Sequence, residues 1–278
     1  MAEPTSSNPA FARNPIFNGK AAATQTPTIS AEGLQELYNS PAATPAQTDR
    51  MSYDDVIVKT VGMFVVLLVG AAAGFLTNFP APTPLGIGLM IVGIVGGLVL
   101  GIVNAVKREP SVPLILLYAG LEGLAVGALS GFFEARWSGI VLQAVLATFA
   151  VFGVTLALFA SGKVRASKRA TKVFLIAIVG YAVFSLINFV LMITGVTSGM
   201  FGLRSVEIIP GVPLGAILGI LVVIMAAYSL VLDFTAVKEG VERGAPRIFG
   251  WQAAFGIMVT VVWLYVEILR LIAIFRSN

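Results

Sequence analysis

The chain has 278 residues, 57% of them apolar and only 12% charged, with a net charge of +4. A soluble domain of this length needs far more charge to stay dissolved, so the composition excludes that class and points to an integral membrane protein. Cysteine and histidine are both absent, which removes disulfides and thiol nucleophiles together with the commonest zinc ligand, general base and neutral-pH switch.

Proton or cation chemistry must therefore run on carboxylates, with no resident cofactor, no enzymatic activity and no nucleic-acid partner expected. Residues 1–50 are rich in Ala, Pro, Thr, Ser and Asn without apolar periodicity, and read as a disordered cytoplasmic N-terminal tail. They hold no apolar core, so no cleavable signal peptide is expected. The tail repeats Asn8-Pro9-Ala10-Phe11 and Asn14-Pro15-Ile16-Phe17. Such turns are common in tails, and docking of a protein partner is the alternative reading. A short helix from Ser30 to Tyr38 also fits the pattern. Residues 51–278 form the membrane domain, and "MSYDDVIVKT" looks like its first helix start, with Ser52 and Asp55 spaced as a capping box.

Seven apolar segments follow, at roughly 57–79, 85–106, 112–133, 138–160, 172–194, 212–234 and 251–275. Each is about 20 residues or slightly more, the length that crosses a hydrocarbon core of about 30 Å as a helix. Backbone groups in lipid must bond within their own segment, so the fold class is an all-α integral membrane protein of seven transmembrane helices. With the N-terminus inside, the cytoplasmic side holds Arg13, Lys20, Arg50, Lys59, Lys107, Arg108, Lys163, Arg165, Lys168, Arg169, Lys172, Lys238, Arg243 and Arg247. These are fourteen of the eighteen basic residues; Arg136, Arg204 and Arg276 remain outside and Arg270 lies in the membrane. The positive-inside rule thus puts the N-terminus in the cytoplasm and the C-terminus outside, in the cell (plasma or inner) membrane. The basic 4–5 loop is placed to touch anionic lipid.

Glycines four apart suggest faces where backbones approach closely: Gly93, Gly97 and Gly101, then Gly123, Gly127 and Gly131, then Gly211, Gly215 and Gly219. The functional signal is the set of ionisable groups in the hydrocarbon. Three of the fourteen acids lie in or at the rim of apolar segments: Glu122 in the third, Asp233 at the cytoplasmic end of the sixth and Glu267 in the seventh. Burying such a group costs several kcal/mol unless it is paired, protonated or hydrated, so each is a candidate site residue. Arg270, three residues after Glu267, is on the same helix face and placed to neutralise it. By helix rise Glu122 is about 15 Å and Glu267 about 24 Å from the cytoplasmic end, with Asp233 nearer the mouth. Acids staggered along a bundle suit a path for protons or hard cations, and coupled carboxylates allow a pH-sensitive gate without histidine.

The stretches "LLYAGLEGLAVGAL" around Glu122, "SLVLDF" across Asp233 and "LYVEILRLIAIF" around Glu267 resemble the Bax inhibitor-1 family, over roughly residues 50–276. "NPIF" and "MSYDDVIVKT" are similar to one bacterial branch of it. The resemblance implies a seventh helix at the centre of the other six and a calcium-permeable, pH-sensitive leak channel. It also implies that Asp233 and Glu267 form a proton-sensing pair with transient Ca2+ contact, that Glu122 lines the path and that Arg270 modulates it. Three features depart from the family pattern. Glu267 stands in "LYVE" where Asp in "LYLD" is usual, and Arg270 replaces a neutral residue. The second segment has no basic latch before Lys107 and Arg108.

Other classes fit less well. An intramembrane aspartyl protease needs two facing aspartates, and only Asp233 qualifies; a retinal protein needs a lysine in the middle of the seventh helix. A proton-coupled transporter also uses staggered acids, but seven helices do not divide into two inverted halves. A non-conducting regulator of stress response or membrane proteolysis, docking through its tail, is the remaining alternative.

Overall fold

A computed structural model describes residues 49–197 and 199–277, which fall in one unit, Pro45–Asn278. The tail, with its Asn-Pro repeat and the helix expected from Ser30 to Tyr38, lies outside the described residues.

Among the described residues seven helices are long and apolar enough to cross a membrane. They are α1 (Tyr53–Asn78), α2 (Pro84–Val106), α3 (Val112–Arg136), α4 (Ile140–Ala160), α5 (Lys168–Ile193), α6 (Leu214–Glu242) and α7 (Phe249–Ser277). Short polar residues start several of them. Ser52 Oγ accepts from the Asp55 amide at 3.2 Å, Thr83 Oγ1 from Gly86 at 3.0 Å and Ser167 Oγ from Ala170 at 3.2 Å, each satisfying an amide that the first turn leaves free. The α3–α4 turn uses a different device: the Glu134 carboxylate accepts from Gly139 N at 2.6 Å and Val141 N at 3.0 Å.

Only half of the expected capping box forms. Ser52 caps α1, but the Asp55 carboxylate turns to Lys59 Nζ at 2.5 Å and Arg247 Nε at 2.8 Å. Lys59 in turn donates to the Arg247 carbonyl at 2.6 Å and lies 5.7 Å from the Trp251 ring. Together with the bond from Met51 N to the Ala245 carbonyl at 2.8 Å, this fastens the start of α1 to the α6–α7 connection. Asp55→Asn is expected to cost about 2 kcal/mol in thermal unfolding of the detergent-solubilised protein. That is less than for a fully buried pair, because the Arg247 carbonyl and Trp251 still face the ammonium. Arg247→Gln, at a largely exposed side chain, is expected to change it less; the reverse order would show that Lys59 does not depend on Asp55.

Two sequence expectations are corrected in the α5–α6 connection. Residues 212 and 213 do not open the sixth helix; they pair with Glu207–Ile209 in a small antiparallel hairpin. Gly211 is therefore a turn residue at φ 78° with open space around it, not part of a packing face. At its other end α6 continues past Asp233 to Glu242, because Val237 is buried on the same face and Lys238–Glu242 and Glu239–Arg243 pair one turn apart.

α7 is the core. Of its most apolar stretch 61% is buried, against 11% for α5 and 17% for α1 and α2. It packs closely against α1, α3, α4 and α6, while α2 leans on α3, and α5 on α6 and the turn that follows it. The expected central position of the seventh helix thus holds, with four helices directly around it and two in an outer layer. The exposed Val, Ile, Leu and Phe residues of α1, α2 and α5 form the apolar surface that lipid covers.

Candidate functional site

Glu267 is 4% exposed and surrounded by donors from three elements. Arg270 NH1, one turn along α7, donates to both carboxylate oxygens at 3.0 and 3.1 Å, so the expected pairing along α7 forms. Tyr181 of α5 donates its hydroxyl to Glu267 Oε1 at 2.5 Å and receives Arg270 NH1 at 3.0 Å.

The second guanidinium is unexpected. Sequence reading leaves Arg204 in an outside loop, but it is 6% exposed and belongs to the cluster. Its NH2 donates to Tyr181 Oη at 3.0 Å and Ser185 Oγ at 2.9 Å, and its NH1 lies 4.0 Å from Glu267 Oε2. The rings of Tyr181 and Phe184 lie 5.2 and 5.7 Å from the guanidinium carbon, a favourable cation–π placement.

The fold brings Arg204 in by tucking the start of the α5–α6 connection into the bundle. Gly202–Ser205 form a short 3-10 turn. Asn188 of α5 accepts from Leu203 N at 2.7 Å and donates to the Phe201 carbonyl at 3.3 Å, while Phe201 stacks on Phe133 at 6.4 Å. Gly202 takes φ 59° with Asn188 packed against its Cα, a position where a side chain would be both strained and blocked. Arginine stays protonated under all ordinary conditions, so one carboxylate serves two fixed positive charges.

Asp233 belongs to a separate group. Thr260 of α7 donates to Asp233 Oδ2 at 2.6 Å, and Ser229 lies 3.4 Å from the Thr260 hydroxyl. Thr260 and Glu267 are seven residues apart on one helix, so the two acids differ in level by about 10 Å. Among the described residues no hydrogen bond or ion pair joins them. The two acids expected to pair therefore lie in separate hydrogen-bonded groups. The physical reason is the long α6, which runs nine residues beyond Asp233 and sets it opposite Gly256 and Thr260 rather than Glu267.

Glu122 joins neither group. It lies between α2 and α3, its Oε2 so close to Gly97 that a Cβ there would stand 2.6 Å away. Among the described residues it has no hydrogen-bond or ion-pair partner, and no three acidic side chains gather as a cation cage. Sequence reading did not single out Arg204, Tyr181, Ser185 or Thr260. A signal was present for α5, where Tyr181, Ser185 and Asn188 form a polar stripe at spacings of four and three in an apolar helix.

A search of curated proteins gave no match. A family model described as Bax inhibitor 1 like matches residues 8–277. With seven membrane-length helices around a buried α7, the chain is a multi-pass membrane protein that belongs to the Bax inhibitor 1 like family.

Proposed function

We propose that the protein is a pH-sensitive leak pathway for cations, calcium among them, described here in a closed form. The observation that carries this reading is the pair of acids at two levels against the central helix, Asp233 held by Thr260 and Glu267 by Arg270 and Tyr181. Asp233 is the acid nearer the cytoplasmic mouth, accepts one hydrogen bond and is the first oxygen ligand a cation meets. Glu267 is closed off by Arg270 and Arg204, which act as the latch that the second helix lacks. Protonation of either acid changes the charge balance along α7, and this couples opening to pH. In this reading the ligands are protons, Ca2+ as the permeant ion in transient contact with Asp233 and Glu267, and membrane lipid. The N-terminus is cytoplasmic and the C-terminus outside, in the cell membrane, and Glu122 marks the α2–α3 flank of the path.

The test is calcium flux into liposomes carrying purified protein at pH 6 and pH 8. Wild type is expected to pass more calcium at one pH than the other, with the ratio reduced about tenfold in Asp233→Asn and the closed state leakier in Arg270→Gln. Absence of flux from all of them at both pH values overturns the channel reading.

One feature favours a second reading. Two guanidiniums around one carboxylate repel a cation, as suits a non-conducting regulator that docks a protein through its tail. In that case deletion of residues 1–50 abolishes activity in cells while Asp233→Asn leaves it intact.

A further inference from the structure

Beside the Glu267 cluster, α5 stands slightly apart from α7 and leaves a cleft of about 420 Å³, within the size range of small-ligand sites. One wall is polar, with Tyr181, Ser185 and two arginines, Arg204 and Arg270, against one carboxylate, Glu267; the other, with Phe189 and Met192, is apolar. Phe189 is 58% exposed on the outer face of α5, so the apolar wall continues onto the surface that lipid covers.

The charges in this cleft do not balance. Both oxygens of Glu267 are taken by Arg270, and one also by Tyr181. Arg204 NH1, at 4.0 Å from Oε2, is beyond hydrogen-bond distance. Among the described residues Arg204 bonds to two neutral hydroxyls, and its buried Nε has no partner. A buried guanidinium that shares its counter-charge with a second arginine, at 4.0 Å, is only partly compensated, and an unpartnered N–H on it adds to the cost. An oxyanion in the cleft supplies the negative charge that is short here, and guanidinium binds it with charge-assisted hydrogen bonds.

We propose that the cleft between α5 and α7 binds the phosphate or carboxylate oxyanion of an acidic lipid. Arg204 and Arg270 hold the oxyanion, and an acyl chain runs out past Phe189 and Met192. A free oxyanion shares the headgroup chemistry but leaves the apolar wall uncovered. The assignment does not depend on whether the protein conducts.

The test uses the full chain in neutral detergent, with binding read by native mass spectrometry and by the rise in unfolding temperature. The probes are phosphatidylglycerol, phosphatidylcholine and inorganic phosphate. Phosphatidylglycerol is expected to bind about tenfold or more tightly than phosphatidylcholine, and Arg270→Gln to remove that preference. Lys168→Gln/Arg169→Gln, at the start of α5, is expected to keep it. Glu267→Gln provides a readout that a merely structural cluster would not give. It removes the competing carboxylate, so its binding of phosphatidylglycerol strengthens and the lipid restores part of its lost stability. If the preference survives in both Arg270→Gln and Arg204→Gln, or disappears only in the Lys168/Arg169 variant, the site is not in this cleft. If inorganic phosphate at millimolar concentration stabilises wild type as much as phosphatidylglycerol does, the lipid assignment fails.

Discussion

Gly127→Val is expected to cost about 4 kcal/mol or more and to leave little folded protein after detergent extraction. α1 and α3 touch backbone to backbone along more than two turns. A Cβ at Gly127 would overlap the Ala71 carbonyl, one at Gly123 the Leu67 carbonyl, and one at Gly131 would stand 2.6 Å from the Phe75 carbonyl. The fit is mutual, since a Cβ at Gly70 would stand 2.5 Å from the Gly120 carbonyl and one at Gly74 would overlap that of Leu124. Extra volume in a packed interior usually costs about 1–3 kcal/mol. Here the obstacle is main chain, which cannot rotate away, and the whole helix must shift. In lipid no hydrophobic force drives helices together, so this close packing carries the association. The control is Gly153→Ala in α4, where a Cβ meets open space. It is expected to be neutral or to stabilise by a few tenths of a kcal/mol through helix propensity. Thermal unfolding of both variants decides it: similar losses at the two positions would mean that helix contact is not what Gly127 provides.

Glu267→Gln is expected to destabilise the protein by about 3–5 kcal/mol, the range found when one partner of a buried ion pair is removed. The amide still accepts a hydrogen bond, but Arg204 and Arg270 then face each other across Tyr181 without a negative charge. Arg270→Gln is expected to cost less, about 1–2 kcal/mol, because Arg204 still faces the Glu267 carboxylate at 4.0 Å. The informative quantity is the double variant. Glu267→Gln/Arg270→Gln removes one charge of each sign and leaves Arg204 alone, so its cost is expected to fall below the sum of the single costs by more than about 1 kcal/mol. Additive costs in denaturant or thermal unfolding would show that the carboxylate does not balance the guanidiniums.

The separation of the two acids shapes how the proposed gate is to be tested. A coupled carboxylate pair titrates as a unit, but Asp233 and Glu267 differ in level by about 10 Å and have separate hydrogen-bond partners. In the flux assay Asp233→Asn and Glu267→Gln are therefore expected to act differently. The first alters an acid held by the Thr260 hydroxyl, and the second unbalances two arginines. Identical pH profiles for the two variants would point instead to a single shared proton.

Much of this architecture is legible in the chain as written, because the governing quantities belong to single segments. Span number follows from apolar length against bilayer thickness, and the Ser52 cap and the Glu267–Arg270 pair follow from spacings within one helix. Gly93 and Gly97 of the second segment and the triad of the third mark real close approaches for the same reason, since a helix repeats its face every three to four residues, while Gly101 has ordinary room beside Tyr118. In the third triad Gly215 and Gly219 do pack against α7, but Gly211 misled, because it belongs to a hairpin whose register is set by the pairing of Glu207–Ile209 with Val212–Pro213. The rest of the cluster was legible only in part, through the polar stripe of α5, and its second arginine was not. Arg204 follows α5 by eleven residues in a connection that hydropathy assigns to the outside. Its burial depends on Phe201 finding Phe133 on α3 and on Asn188 closing the turn around Gly202. Likewise the distance between Asp233 and Glu267 depends on where α6 stops, which Val237 and two ion pairs beyond the apolar segment determine. Contacts between elements distant in sequence leave no periodic trace, and in this protein they decide that Glu267 answers to two arginines rather than to Asp233.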